Sequence, residues 1–132
     1  MRNLILATAA LGCLPGALHA QPKPADLSGA WAVEGEIEAP QGVALAQPVC
    51  TFQQTGAQLA GACEGPGSTG PATGSVAGQH VTWRWAAKAR NEFGGTGEGA
   101  FDGELGADGT IRGSMTLDIL PGAKGTFTAK RR

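Results

Sequence analysis

The chain has 132 residues, with 10 Lys and Arg against 11 Asp and Glu and a formal net charge of −1. That length holds one domain with a modest core, and a near-neutral charge whose only basic run is Lys130-Arg131-Arg132 lacks the electrostatic footprint of a nucleic-acid-binding protein. Outside the N-terminus no apolar run approaches the ~20 residues that a membrane-spanning helix needs, so an integral membrane protein of helical type is not expected.

The N-terminus carries an export signature. Met1-Arg2-Asn3 is positively charged, Leu4 to Leu14 is apolar, and Ala17-Leu18-His19-Ala20 ends in a small residue before Gln21-Pro22, so residues 1–20 read as a secretory signal cleaved after Ala20. The alternative is a lipoprotein signal at Ala10-Leu11-Gly12-Cys13, which would anchor the chain through Cys13. Either signal delivers the chain to the periplasm or outside the cell, where disulfides form and persist. Residues 21–26, Gln-Pro-Lys-Pro-Ala-Asp, make a short Pro-rich leader without hydrophobic period, expected to be extended and mobile.

From Leu27 onward the hydrophobic period is two, as in half-buried strands. In the first strand Leu27, Gly29, Trp31, Val33, Gly35, Ile37 and Ala39 share one face, with Glu34, Glu36 and Glu38 on the other, and Pro40-Gln41-Gly42 ends it. A hairpin follows over Val49 to Glu64. With Gly56-Ala57 as a type II′ turn, Phe52 faces Gly61 and Cys50 faces Cys63. Counted from the turn, the cysteines occupy a non-hydrogen-bonded pair, whose Cα atoms lie about 4.5 Å apart, within disulfide reach. The expected bridge is structural, because no C-x-x-C and no adjacent basic group would lower a thiol pKa.

Residues 65–70 read as a loop, and Ser75 to Gly78 with Val81 to Lys88 as a second hairpin around Gln79-His80, directing Val81, Trp83, Trp85 and Ala87 inward. Residues 89–97 read as a Gly-rich loop. In the third hairpin, Ala100 to Leu105 and Ile111 to Leu117, keeping the apolar residues together pairs Leu105 with Ile111 and Phe101 with Met115. That register requires the three-residue loop Ala107-Asp108-Gly109 with Gly109 left-handed, and it sets Glu104 opposite Arg112. Lys124 to Ala129 forms the last strand.

Eight short sequential strands without helical period predict an all-β fold, an antiparallel up-and-down eight-stranded barrel in one domain over residues 27–132, with an open β-sandwich as the alternative. An apolar-x-Gly step recurs at Leu27, Leu59, Val76, Phe101 and Ile111. On the inner face of a small barrel such glycines make room for an aromatic on the next strand. Outward Glu34, Glu36, Glu38, Arg84 and Arg112 exclude a lipid-facing barrel.

Leu27-Ser-Gly-Ala-Trp31, LAGACEG over residues 59–65 and VTWRW over residues 81–85 resemble the avidin and lipocalin (calycin-type) group of small secreted barrels across most of the chain after the signal. The resemblance implies an interior ligand site. The biotin-binding pattern is not shared: Val33 stands where avidins carry Asn, the chain has no Tyr, and Ala100, Phe101 and Leu117 lie near the later-strand Trp positions. Leu-Ser-Gly-x-Trp and the Cys50 and Cys63 pair also resemble the periplasmic inhibitors of bacterial metalloproteases, which are secreted eight-stranded barrels with one disulfide. That family inserts a mobile N-terminal segment into the protease cleft. Here the cysteine spacing is tighter, and Gln21-Pro-Lys-Pro departs from that family's start.

His80, the one histidine after the signal, is expected in a turn, so no Cys-His or Ser-His-Asp set forms and no catalytic residue or cofactor is assigned. Glu34, Glu36 and Glu38 lie about 7 Å apart along one strand face, which leaves no metal site without help from other strands. A barrel of this size is either filled or holds one small ligand. With three Trp in a chain poor in aromatics, Trp31, Trp83 and Trp85 become the candidate wall, and Phe93 the candidate lid, of a site for a small apolar ligand. A filled interior would instead point to a protein partner, such as a protease, met through leader, loops or acidic face.

Overall fold

Period-two patterning runs through nearly all of the computed structural model, which describes residues 24–90, 95–120 and 122–132. Nine strands are described: β1 (Gly29–Ala39), β2 (Gly42–Ala46), β3 (Val49–Thr55), β4 (Gln58–Glu64), β5 (Ser68–Ala77), β6 (His80–Ala89), β7 (Thr96–Leu105), β8 (Ile111–Leu117) and β9 (Lys124–Arg131). All pair antiparallel in the order β2-β1-β3-β4-β5-β6-β7-β8-β9, and β1 also pairs with β9, which closes an eight-stranded barrel with β2 as an extra strand. No helix of the described residues is long and apolar enough to cross a membrane.

The extra strand is the element that the hydrophobic pattern does not show. Val43 and Leu45 are 63% and 66% exposed, so β2 has no clear inside to alternate with. It forms because the β1–β3 ladder continues in register: Trp31 faces Cys50, and further along Gly35 faces Ala46. The ladder breaks at Gln47-Pro48, since Pro48 has no N–H to donate, although its carbonyl still accepts from the Val33 N–H at 2.9 Å. Past that break β2 pairs with β1 alone.

The hairpins turn where glycine permits it. Gly56 and Gly78, with φ of 60° and 61°, open two-residue turns, and Gly109 at φ 79° closes the three-residue loop of the third hairpin in the expected register. The second hairpin therefore turns at Gly78-Gln79 rather than at Gln79-His80, and His80 becomes the first residue of β6, opposite Ala77 and Glu104. β5 and β7 also begin earlier than the loops read at residues 65–70 and 89–97 would allow.

Inside, bulky residues face small ones from strand to strand. Phe52 faces Gly61, Trp83 faces Gly74, Trp85 lies between Ala72 and Gly99, and Phe127 lies between Gly35 and Gly113. These slots let Trp83 stack on Phe101, ring centroids 4.7 Å apart, with Phe52 and Phe127 edge-on at 5.5 and 5.2 Å. The aromatic cluster plugs the middle of the barrel.

One end is sealed by the chain's own beginning. Leu27 is fully buried; its N–H donates to Gln54 Oε1 at 2.7 Å, and Gln54 Nε2 donates to the Ala25 carbonyl at 2.8 Å. Arg131 donates to the carbonyls of Asp26 and Ser28, and its guanidinium lies 4.6 Å from the Trp31 ring centroid. Ala25 and Asp26, the last two residues of the leader read at 21–26, are thus tied to the barrel; residues 1–23, and with them the signal and Cys13, lie outside the described residues.

Cys50 and Cys63 are fully buried, face each other with Cα atoms 4.0 Å apart, and form a disulfide. Closing so short a loop stabilises by roughly 3 kcal/mol. The double variant Cys50→Ala/Cys63→Ala is expected to melt roughly 10–20 °C below the parent, read by circular dichroism. A melting point within the error of the parent would remove the staple from the list of things holding the barrel together.

Candidate functional site: the mouth cavity

Beyond the aromatic plug, inward positions turn small. Ala87 and Ala89 of β6, Gly97 of β7 and Ala46 of β2 cannot fill a barrel's width, and they leave a cavity of about 550 Å³ at the end opposite Leu27. Buried Trp85, Phe101 and Met115 lie deepest, half-buried Leu117 forms part of the wall, and exposed Leu45 and Ile119 stand at the rim. The Trp85 ring reaches Gly65, its Cη2 3.5 Å from where a Cβ would stand, an ordinary van der Waals contact. The wall is open beside β2, where the break at Gln47-Pro48 separates its edge from Gly65 to Ser68. No charged side chain is among the described residues lining this space.

Of the four residues expected to form the site, three are described, and one of these lines the cavity. Trp85 lines the cavity. Trp83, one inward position further along β6, belongs to the plug. Trp31 lies in the sealed half, its indole N–H donating to the Leu27 carbonyl at 2.9 Å. Phe93 lies outside the described residues. Phe101, Met115 and Leu117 were legible as inward positions of the third hairpin; Leu45 and Ile119 carried no signal, because they are exposed apolar residues outside any alternating strand.

The titratable groups sit on the outer face. His80 Nδ1 lies 2.7 Å from Glu104 Oε1 and Nε2 lies 3.1 Å from Asp102 Oδ1, so both ring nitrogens meet carboxylates. The Glu104 hydrogen bond, helped by the Asp102 and Glu104 charges against slight desolvation, raises the imidazole pKa above its ordinary value. Arg112 does face Glu104 in register, yet it bonds Asp108 instead, Nη2 to Oδ2 at 2.8 Å, because the three-residue loop carries that carboxylate back over β8. This contact, with the Thr110 N–H, holds the Asp108 carboxyl well below the usual carboxylate range. No group of three His, Cys, Asp or Glu among the described residues could hold a metal ion.

The closed antiparallel barrel is consistent with a calycin-like fold in general. No protein-family model matches the chain, and no curated protein matches it in sequence.

Proposed function

We propose that this chain is a periplasmic or secreted, non-catalytic barrel that binds one small apolar ligand in the mouth cavity, a role of the kind that the avidin and lipocalin resemblance implies. The observation that carries this reading is the cavity itself: about 550 Å³, walled by apolar side chains, with Trp85 in its deep end. That size and lining are ordinary for small-molecule sites. The Cys50–Cys63 disulfide supports an oxidising compartment. The described residues lining the cavity offer no acid, base or activated nucleophile, and His80 is occupied elsewhere, which supports a binding role over a chemical one.

The neutral dye 1-aminoanthracene is the test. It is expected to bind with one site per chain, and Ala87→Phe, which fills the cavity, is expected to weaken it tenfold or more at an unchanged melting temperature. Equal binding by the parent and Ala87→Phe would place the dye elsewhere and defeat the reading.

β2 favours a second reading, a protein partner. Its outer edge pairs with no strand among the described residues and carries no charge, and edges of that kind accept another backbone. A protease-inhibitor version requires the full-length protein to inhibit secreted metalloproteases and to lose that inhibition without residues 21–26; no inhibition by the full-length protein ends it.

A further inference from the structure

The mouth cavity also constrains the charge and shape of what it holds, and this inference rests on the ligand-binding reading above. We infer that the ligand is an uncharged amphiphile with a compact apolar body against Trp85 and a neutral hydrogen-bonding head, such as a hydroxyl, ester or amide, at the rim.

The lining is graded in depth. Its buried members, Pro48, Trp85, Phe101 and Met115, present apolar surface, and the one polar side-chain atom among them, the Trp85 indole N–H, is sealed from solvent. Its polar side chains are Gln47, Ser68 and Thr96, at the ladder break and at the first residues of β5 and β7, where the strands reach the open end. All three are neutral, and all can both donate and accept hydrogen bonds.

Strand alternation keeps charge out. Glu64, Lys88 and Glu98 are chain neighbours of inward residues but belong to the outer face. Glu98 Oε1 is taken by Arg84 Nη1 at 2.8 Å, and Asp118 Oδ1 accepts the Glu98 backbone N–H at 2.7 Å. A carboxylate or ammonium drawn into the cavity would lose hydration and meet no counter-charge among the described lining residues. The depth is limited as well: Trp83, stacked on Phe101 and edge-on to Phe127, stops the cavity at the plug. A ligand must therefore be compact rather than a long extended chain.

Adamantane derivatives separate charge from shape, because 1-adamantanol, 1-adamantanecarboxylate and 1-adamantylammonium share one rigid body. Calorimetric titration of the full chain at neutral pH is expected to show the alcohol binding at one site, at least tenfold tighter than either ion. Gln47→Lys, at an exposed rim position, is expected to move the carboxylate-to-alcohol affinity ratio at least tenfold toward the carboxylate. An alcohol that binds no tighter than its charged analogues overturns the inference while leaving the binding site standing, provided 1-aminoanthracene still binds and Ala87→Phe still weakens it. If that dye fails too, the site falls with its ligand class.

Discussion

Gly113→Ala is expected to destabilise the barrel by about 4 kcal/mol or more, enough to prevent accumulation of folded protein. A Cβ at Gly113 would stand 1.9 Å from the Asp102 carbonyl oxygen and 2.5 Å from the Gly103 Cα, both backbone atoms of β7. No rotamer relieves that collision; only separating β7 from β8 would, and the ladder between them runs from Gly99–Leu117 to Leu105–Ile111. Separation would also draw Gly103 away from the Phe127 ring, whose Cζ lies 3.0 Å from where a Cβ at Gly103 would stand. The control is Gly67→Ala, where an added Cβ meets nothing within 4 Å and the backbone is not left-handed. Denaturant unfolding of the two variants should therefore diverge, with Gly67→Ala close to the parent. A Gly113→Ala protein that melts within a few degrees of the parent would show that the strands slide apart cheaply, contrary to the packing described.

The same glycines explain why so much of the architecture was legible in sequence. Period-two alternation, turn glycines at 56 and 109 and the facing of Cys50 with Cys63 fix the frame of every strand they touch, because a slip of one residue would turn each inward side chain outward. What escaped had no such constraint. β2 is exposed on both sides, so its residues do not alternate and only the continuing register of β1 places it. The Gln79-His80 turn was misplaced by one residue because a polar pair looks like a turn, whereas the backbone needed Gly78 at positive φ. The site was legible only in part for a different reason. Alternation shows that Trp31, Trp83 and Trp85 point inward, but the level each occupies along the barrel depends on strand stagger, which becomes definite only when β9 closes on β1. The hollow was encoded less by the tryptophans than by what replaces them beyond Trp85, namely Ala87, Ala89 and Gly97.

Trp83→Ala is expected to cost about 3–5 kcal/mol, as for truncation of a well-packed aromatic. Trp83 is 2% exposed and contacts Phe52, Phe101 and Phe127, so its removal takes the centre out of the plug and leaves three rings without their common neighbour. Trp83→Phe separates size from polarity. The smaller ring leaves a void of roughly 40 Å³, which at ~24 cal/mol per Å³ costs about 1 kcal/mol. Against this, the Trp83 indole N–H is sealed from solvent and faces no acceptor, a condition that itself costs about 1–3 kcal/mol. Phenylalanine removes that donor, so the two effects oppose each other and Trp83→Phe is expected to lie within about 1 kcal/mol of the parent in urea unfolding. A Trp83→Phe loss near that of Trp83→Ala would mean that the indole N–H finds an acceptor after all, and that polarity as well as volume holds the plug together. Because the plug is also the floor beneath the mouth, the alanine variant has a second readout: the space it opens joins the cavity from below. Any Trp83→Ala protein that folds should accept a longer apolar ligand than the parent does, whereas Trp83→Phe should keep the parent's size limit.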